Sequence, residues 1–459
     1  MAVFVTVDPR TADVLAEHPL LSEADIASAV NRSADAFPDW ALGKPADRSP
    51  ILRGIAELHR ARKEELAASM AREMGKPVAQ GRGEVELAAS IFDYYGDRGP
   101  DLLADEELEV AGGGRALVRT APLGAILGIM PWNYPLYQVA RFVAPNLVLG
   151  NTILLKHARA CAATSVILAD IVRDAGAPAG VYENLLITSD QVAGLIADPR
   201  VRGVSLTGSE RAGREVGELA GRNLKKSVLE LGGSDPFIVL PDADIDEVLG
   251  FAENGRFSNA GQSCTSAKRM IVHSTVWEEF LGGLVERAKG WQLGDPLLDE
   301  TRLGPMASVG GRDEVAEIVE DAVRQGATAH VGAEIPDGAG AFYPATVLTG
   351  VVPGMRAYHE EIFGPVAVVY EVDSVDAAIE LANDTPFGLG ASVFTRDLEL
   401  ANTIANRLDV GMVGLNTTIR SQPNLPFGGV KASGLGRELG RFGLDEFSNK
   451  KLLRIVAGS

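Results

Sequence analysis

Apolar residues recur at helical spacing through the first hundred residues of the chain. Segments 22–40, 48–74 and 77–98 show this pattern and are rich in Ala, Glu and Arg. An apolar stripe with a period near 3.6 residues indicates an amphipathic helix, so we predict one helix in each segment. Ser22, with acidic residues in the turn that follows it, suits the start of the first helix.

From about residue 115 the pattern changes to short apolar strands that alternate with helices. We predict strands at 116–118, 125–130, 151–155, 183–187, 201–206 and 227–231, and helices at 137–149, 162–174, 189–197 and 209–222. Strands that are apolar along nearly their whole length are typical of parallel sheets covered by helices on both faces. The pattern therefore predicts a doubly wound sheet, which binds ligands at the carboxyl ends of its strands.

A second region of alternating elements follows Gly232. We predict strands at 237–240, 270–272, 366–371, 391–394 and 411–415, and helices at 244–258, 275–289, 311–325 and 374–382. Residues 423–436, rich in Gly and Pro, predict a loop. The apolar tail from about residue 447 predicts a strand that could pair with a neighbouring subunit. The fold class is therefore α/β, with two α/β units.

Composition and charge narrow the classes of function. A chain of 459 residues exceeds what one core usually serves, and its formal net charge of −19 disfavours nucleic acid or anionic membrane as a partner. No apolar stretch is long enough to span a bilayer, and the N-terminus lacks the features of a signal peptide. Two cysteines fit a reducing cytoplasm, and six scattered histidines predict no metal site.

Three residues suggest covalent chemistry. Cys264 follows a small polar turn, where a thiol can act as a nucleophile at the mouth of a cleft. A lone cysteine is more often structural, as we expect Cys161 to be. Glu230 ends an apolar strand before two glycines, where it can activate water or simply be solvated. Asn133, in a Pro-rich turn, offers an amide N–H for an oxyanion, although the segment can also be only a turn.

Two further segments suit a cofactor that carries phosphate. Lys156 and Arg159 follow a predicted strand, where they can bind phosphate or remain surface charges. Gly208 and Ser209 lie where a strand runs into a helix, whose exposed N–H groups can face a phosphate. The glycine spacing there is not the full dinucleotide fingerprint, so this signal is weak by itself.

Seven segments carry a resemblance to a known family. They are PWNYP at 131–135, LLKHA at 154–158, LTGSE at 206–210, LELGG at 229–233, GQSC at 261–264, EEIFGPV at 360–366 and PFGGVKASGLGRE at 426–438. In this order and spacing they resemble the aldehyde dehydrogenase superfamily. The resemblance implies the following division: a nucleotide-binding domain of residues 1–103 and 123–232, a catalytic domain of residues 233–440, and a small oligomerisation unit of residues 104–122 and 441–459. It also implies a homodimer or homotetramer.

The resemblance assigns roles to matching positions. Cys264 is expected to attack the aldehyde carbon, and Asn133 with the backbone N–H of Cys264 is expected to hold the oxyanion. Glu230 is expected to activate the water that hydrolyses the resulting thioester. The positions that match the family's cofactor site are Trp132, Asn133, Lys156, His157, Ala158, Arg159, Gly208, Ser209, Leu231, Glu361 and Phe363.

The choice of cofactor and substrate depends on a few basic residues. NAD-preferring members often carry a Glu where this chain has Arg159, so we expect NADP to be preferred, with NAD possible. The alternative is that Arg159 faces solvent and NAD works equally well. The LLKHA segment and the C-terminal sequence look like bacterial succinate-semialdehyde dehydrogenases. Such enzymes need a cation for the distal carboxylate, and Arg141 matches a carboxylate-binding arginine of some members. Arg420 and Ser421, in the loop before PFGG, could also line the substrate tunnel.

Other readings of the substrate and of the activity remain open. Ser258 stands where some members of the family carry a second arginine, which leaves an uncharged aliphatic or aromatic aldehyde as the alternative substrate. A CoA-acylating relative is disfavoured because Glu230 is present to activate water. A catalytically silent protein on the same fold is disfavoured by the intact set of Cys264, Glu230 and Asn133.

Overall fold

The computed structural model describes residues 3–111 and 113–456 of the chain. The strands are β1 (Val3–Val7), β2 (Val14–Pro19), β3 (Glu106–Leu108), β4 (Arg115–Pro122), β5 (Ala125–Met130), β6 (Thr152–His157), β7 (Tyr182–Asn184), β8 (Val201–Thr207), β9 (Lys226–Glu230), β10 (Asp235–Val239), β11 (Ala267–His273), β12 (Thr328–Val331), β13 (Thr346–Thr349), β14 (Val366–Val372), β15 (Phe387–Gly388), β16 (Gly390–Phe394), β17 (Met412–Leu415), β18 (Val430–Lys431), β19 (Gly434–Leu435) and β20 (Ser448–Ile455).

Helices connect most of these strands. They are α1 (Glu23–Leu42), α2 (Pro45–Ala61), α3 (Lys63–Met74), α4 (Val78–Leu102), α5 (Tyr137–Leu149), α6 (Ala162–Asp174), α7 (Val192–Ala197), α8 (Glu210–Arg222), α9 (Ile245–Phe257), α10 (Trp277–Lys289), α11 (Val309–Arg324), α12 (Arg356–His359), α13 (Val375–Asn383), α14 (Leu398–Ala405) and α15 (Gly440–Glu446). Within the described residues, no helix is long and apolar enough to cross a membrane.

Two sheets built mainly from parallel strands confirm the predicted α/β fold. The first has the order β19-β9-β8-β5-β6-β7, with only β19 antiparallel. The second has the order β12-β13-β14-β11-β10-β16-β17, with only β12 antiparallel. Helix α5 is buried along its whole length against the first sheet. The carboxyl ends of the strands of the first sheet supply the loops of the site described below.

The C-terminal tail forms a strand, as predicted, but it pairs with its own chain. Strand β20 runs antiparallel to β4, from the pair Ser448 and Pro122 to the pair Ile455 and Arg115. With β3 these strands form a three-stranded sheet in which β20 is at an edge. Leu452 on this edge strand is 62% exposed. The tail therefore completes a small sheet of its own chain and still presents one free edge.

Other differences from the predicted elements have local causes. The predicted helix 48–74 is two helices, because Arg62 between α2 and α3 leaves the helical region with φ −101° and ψ 22°. The predicted strand 183–187 ends at Asn184, where pairing with β6 stops. The hairpin of β1 and β2 was not predicted from the pattern. The predicted loop 423–436 contains the two-residue strands β18 and β19.

Candidate active site

A cavity of about 330 Å³ lies between the carboxyl ends of β5, β8 and β9 and loops of the second α/β region. It is lined by Pro131, Trp132, Asn133, Gln138, Thr207, Gly208, Ser209, Leu231, Gly232, Gln262, Cys264, Met306, Ser308, Gly311, Glu314, Val315, Ile318, Glu361 and Phe363. Segments far apart in sequence thus converge on one space. The predicted nucleophile, oxyanion amide and several predicted cofactor positions are among them.

The turn before Cys264 has an unusual backbone. Asn259 and Ala260 both adopt left-handed conformations, with φ of 53° and 51°. Gly261 follows at φ 69°, and a Cβ there would lie 2.1 Å from the carbonyl oxygen of Gly364. Only glycine fits this close approach between two backbones. The turn therefore fixes the position of the residues that end in the nucleophile.

The thiol of Cys264 is half-buried at the cavity wall. Burial raises its pKa to about 12, and the positive charges of Arg141 and Lys268 oppose that rise only in part. Desolvation disfavours the thiolate, so the resting side chain is a neutral thiol. Attack on a carbonyl therefore requires loss of the thiol proton as the substrate arrives.

The side chain of Asn133 is held in one orientation. Its Nδ2 donates to the carbonyl oxygen of Gln262 at 3.0 Å. An amide nitrogen has two protons, so this bond leaves one N–H for the cavity that Asn133 lines. The backbone carbonyl of Asn133 is also bound, by Nδ2 of Asn259 at 2.9 Å. The arrangement suits a fixed oxyanion donor.

A buried ion pair, not recognised in the sequence, holds the loop that carries Asn133. Lys76 and Glu84 contact each other through their charged groups, and both are almost fully excluded from water. Nζ of Lys76 donates to the carbonyl of Asn133 at 2.9 Å. Oε1 of Glu84 accepts from the N–H groups of Leu136 and Tyr137 at 2.9 and 3.1 Å. The pair therefore forms hydrogen bonds at both ends of the turn that leads into α5.

The carboxylate of Glu230 is buried, and neither of its oxygens has a protein hydrogen-bond partner. It lies at the end of β9, and the next residue, Leu231, lines the cavity. Burial raises the pKa of Glu230 well above its usual range, while the charge of Arg141 acts in the opposite direction. A carboxyl group with a raised pKa is a stronger base once it is ionised.

The C-terminal segment closes over Glu230. Gly434 of β19 pairs with Glu230, and the N–H of Leu231 donates to the carbonyl of Ser433 at 3.0 Å. Oγ of Ser433 in turn donates to the carbonyl of Gly232 at 2.7 Å. A Cβ on Gly428 would lie 2.6 Å from Oε1 of Glu230, so this position has no room for a side chain. The predicted Gly-rich loop thus forms part of the wall around the carboxylate.

Arg141 and Ser421, two of the predicted substrate residues, are joined through a third. Nη1 of Arg141 donates to the hydroxyl of Tyr137 at 3.1 Å, and that hydroxyl is 2.5 Å from Oγ of Ser421. Arg141 is buried and forms an ion pair with Glu438, so its charge is compensated within the protein. Tyr137 carried no recognisable signal in the sequence beyond its place near PWNYP.

Arg420, the other predicted substrate residue, lies at a second cavity of about 330 Å³. The cavity is lined by Tyr134, Phe251, Asn254, Gly255, Ser258, Ser263, Thr265, Ser266, Thr418, Ile419 and Arg420. Ser263 of this lining directly precedes Cys264, which lines the first cavity. Its lining is rich in hydroxyl groups, and exposed Arg420 brings a positive charge to it.

The predicted cofactor residues divide into two groups. Trp132, Asn133, Gly208, Ser209, Leu231, Glu361 and Phe363 line the first cavity, whereas Lys156, His157, Ala158 and Arg159 do not. The rings of Trp132 and Phe363 meet edge to face at 5.7 Å. Lys156 is the penultimate residue of β6 and is half-buried, and burial lowers the pKa of its ammonium group.

The three residues after Lys156 contact other parts of the protein. Nε2 of His157 donates to the carbonyl of Pro135 at 3.0 Å, and its Nδ1 accepts from the N–H of Ala158 at 2.7 Å. Nε of exposed Arg159 donates to the carbonyl of Val5 at 3.3 Å. The guanidinium also lies 5.8 Å from the ring centre of Phe4. The N-terminal hairpin therefore fixes the direction of Arg159.

Sequence reasoning missed several residues that line the first cavity. Gln138, Thr207 and Gln262 were not recognised, although each lies within or beside a motif. Ser308 and Glu314 come from the start of α11, which has no motif to indicate it. In residues 3–111 and 113–456, no group of three or more His, Cys, Asp or Glu side chains is placed to hold a metal ion.

Comparisons with known proteins agree with this geometry. The sequence model of the Aldehyde dehydrogenase family matches residues 2–453. The NADP(+) succinate-semialdehyde dehydrogenase of Deinococcus radiodurans is 49% identical over 451 residues, which cover 98% of this chain and 94% of that protein. An NADP(+) succinate-semialdehyde dehydrogenase of Mycobacterium tuberculosis is 42% identical over 453 residues, which cover 98% of this chain and 99% of that protein.

Solved structures show the same similarity. The succinic semialdehyde dehydrogenase of Streptococcus pyogenes in complex with NADP+ superposes with a TM-score of 0.96 at 39% identity, covering 98% of this chain and 99% of that chain. An NAD-dependent aldehyde dehydrogenase from Sinorhizobium meliloti superposes with a TM-score of 0.97 at 36% identity, covering 100% of this chain and 92% of that chain. With its thiol, amide and cavity in this arrangement, the chain belongs to the aldehyde dehydrogenase family.

Proposed function

We propose that this protein oxidises succinate semialdehyde to succinate, with NADP as the preferred cofactor and NAD as a possible one. The observation that carries the proposal is the shared cavity. Cys264 and Asn133 line it together with Gly208, Ser209 and Glu361, which match the family's cofactor site. The named activity of the relatives from Deinococcus radiodurans and Mycobacterium tuberculosis supports the choice of substrate.

The residues of the cavity fit a nicotinamide dinucleotide. Gly208 and Ser209 line it where α8 begins, so backbone N–H groups at the start of that helix can face a phosphate. Glu361 offers carboxylate oxygens to sugar hydroxyls, and Lys156 at the end of β6 supplies a cation. The bound nicotinamide supplies a hydride acceptor. The donor set therefore matches the chemistry of the group.

The chain's own residues perform the remaining steps. The sulfur of Cys264 bonds to the aldehyde carbon, and its proton leaves as the carbonyl oxygen gains charge. The free N–H of Asn133 and the backbone N–H of Cys264 stabilise that oxygen, and loss of one such donor typically costs about 100- to 1,000-fold in rate. After hydride loss the substrate is a thioester on Cys264. Glu230 then takes a proton from water, which attacks the thioester and releases the acid.

Recognition of the distal carboxylate falls to groups beyond the nucleophile. We assign it to Arg420 at the second cavity and to Ser421, whose hydroxyl is oriented by Tyr137 and Arg141. Arg141 contributes through this chain of hydrogen bonds, because its own charge is paired with Glu438. A cation near the cavity and a row of hydroxyl groups suit a carboxylate better than an apolar chain end.

The test is a comparison of aldehydes and cofactors. NADPH formation with succinate semialdehyde is expected to exceed that with butanal, an uncharged aldehyde of the same chain length. Cys264→Ala is expected to abolish oxidation while NADP still binds. Equal turnover of the two aldehydes would overturn the substrate assignment. Oxidation only in the presence of CoA would identify an acylating enzyme, and no turnover of any aldehyde would identify a silent protein.

We further propose the assembly and the division of the chain that the resemblance implies. The nucleotide-binding domain would comprise residues 1–103 and 123–232, and the catalytic domain residues 233–440. The sheet of β3, β4 and β20 would belong to the oligomerisation unit, since β20 leaves a free edge with exposed Leu452. We expect a cytoplasmic homodimer or homotetramer, and light scattering on the purified protein measures its mass.

A further inference from the structure

Lys268 lies four residues after the nucleophile, on β11, and is only 3% exposed. Its Nζ lies 2.7 Å from the carbonyl oxygen of Ser263 and 2.9 Å from that of Cys264. The third neighbour is Oε1 of Glu361 at 3.0 Å. A lysine ammonium has three protons, so these three acceptors satisfy all of them. The side chain is therefore fixed in one place despite its long stem.

The bond to Ser263 has a consequence for its neighbour. The carbonyl of Ser263 and the backbone N–H of Cys264 belong to the same peptide unit. That unit is planar and trans, so its C=O and its N–H point in opposite directions. A bond that holds the carbonyl oxygen of Ser263 therefore also sets the direction of the Cys264 N–H. A cation on the carbonyl also polarises the unit and makes the N–H a stronger donor.

Glu361 compensates the charge of Lys268 from the cavity side. Its carboxylate lines the cavity and also accepts from the N–H of Gly233 at 3.2 Å. The ammonium thus connects the two peptide groups around the nucleophile to the wall of the first cavity. A buried, compensated cation with every donor used holds its neighbours more rigidly than water would.

We infer that Lys268 is a positioning residue for the oxyanion site, which orients the backbone N–H of Cys264 by binding the carbonyl oxygen of Ser263. The inference rests on the proposed function, because it takes that N–H as one of the two oxyanion donors. The positive charge also opposes the rise of the Cys264 pKa that burial causes. Orientation of the N–H and the effect on the thiol pKa can be separated by experiment, because only the orientation requires a carbonyl substrate.

The experiment compares Lys268→Met, which keeps the unbranched stem of the side chain but removes its charge and donors, with Lys268→Arg. Lys289→Met is the matched control, because Lys289 is an exposed lysine on α10 that pairs with Glu286 on the same helix. For each variant we would measure folding by circular dichroism, the dissociation constant for NADP, kcat and KM for succinate semialdehyde, and the rate of Cys264 alkylation by iodoacetamide. Alkylation takes place at a saturated carbon, so it requires the thiolate but no oxyanion donor.

Lys268→Met is expected to lower kcat by about ten- to 100-fold, less than deletion of an oxyanion donor, because the N–H remains but is no longer held. Alkylation is expected to slow by only about threefold, since the higher thiol pKa lowers the thiolate fraction but also makes the thiolate more nucleophilic. Lys268→Arg is expected to recover part of kcat but to stay below wild type, because its donors have a different geometry, and Lys289→Met is expected to behave as wild type.

A fall in kcat no larger than the fall in alkylation rate would overturn the inference, and so would an unchanged kcat. If Lys268→Met does not fold, Lys268→Arg carries the test. Its different geometry must then lower kcat while alkylation and NADP binding stay within about twofold of wild type. Failure of the proposed function has a different signature in the wild-type protein, namely no oxidation of succinate semialdehyde or equal turnover of butanal, and oxidation that survives Cys264→Ala would refute the nucleophile.

Discussion

Arg141 and Glu438 form an ion pair in the interior, with their side chains 1% and 6% exposed. The guanidinium of Arg141 also lowers the pKa of Glu230, whereas the charge of Glu438 raises it. The charge of Arg141 thus acts on both carboxyl groups, but of the two only Glu438 forms an ion pair with it. Because Arg141 is paired with Glu438, Glu230 is the carboxyl group that is harder to ionise. This suits the proposed role of Glu230 in hydrolysis, the last step of the reaction.

Removal of the Glu438 charge is expected to make Glu230 easier to ionise. In Glu438→Gln the Arg141 charge is no longer compensated, so the pKa of Glu230 falls. Hydrolysis needs ionised Glu230, so the rate rises with pH through that pKa, and this limb of the kcat profile should move to lower pH. Glu106→Gln on exposed β3 is the control. A limb that stays at the wild-type pH would contradict the coupling.

Glu230→Gln is expected to separate oxidation from hydrolysis. The amide has the shape of the carboxyl group but cannot accept a proton from water, so the thioester on Cys264 should accumulate. The first turnover should release one NADPH per active site, followed by a steady rate about 100-fold or more below wild type. Rapid-mixing absorbance at 340 nm measures both phases. Wild-type turnover without a burst would show that another group activates water.

Arg420→Met is expected to affect only charged substrates. Arg420 is exposed, and an ion pair in such a position is worth up to about 1 kcal/mol, so KM for succinate semialdehyde should rise about fivefold. KM for butanal should not change, because that aldehyde has no carboxylate. Butanal serves as the control, because both KM values are measured in the same variant. A parallel rise in both KM values would indicate damage to the cavity instead of a lost charge.

Arg159→Glu is expected to change the choice of cofactor. A carboxylate at this position repels a 2′-phosphate and can bind the free hydroxyl of NAD, so the NADP to NAD ratio of kcat/KM should fall at least about tenfold. Phe4→Ala, which removes the ring beside the guanidinium, should lower the ratio less. Steady-state kinetics with both cofactors tests this. An unchanged ratio in Arg159→Glu would remove the residue from cofactor choice.

The local hydrophobic pattern predicted two of the helices that pack beside the first sheet at their observed residues. Helices α5 and α6 lie at the predicted residues, because long apolar runs start and stop at clear signals such as Gly150, whose φ is 106°. The hairpin of β1 and β2 escaped prediction because its strands are short, β2 is mostly exposed, and one of the two buried residues of β1 is the polar Thr6, which leaves little apolar alternation. The break between α2 and α3 at Arg62 was not predicted, because arginine is an ordinary residue within helices.

Sequence motifs identified the candidate catalytic residues but not the residues that hold them in place. The resemblance led to Cys264, Asn133 and Glu230, which were expected around one cavity; Cys264 and Asn133 line it, whereas Glu230 is not among its lining residues. The groups that hold them were not predicted, because Lys76 and Lys268 look in sequence like ordinary charged residues. Their role depends on contacts across the fold, such as the one from Lys76 to Asn133, 57 residues away. Local periodicity does not record such contacts.

The closure of the C-terminal segment over Glu230 has a consequence for biosynthesis. Chains emerge from the ribosome with the N-terminal end first, and the nucleophile is made long before Ser433 and Gly434. Until those residues arrive, β9 lacks β19, one of its two neighbouring strands, and Glu230 lacks part of its enclosure. We therefore expect a nascent or C-terminally truncated chain to be unable to hydrolyse the thioester until its last thirty or so residues have folded against β9.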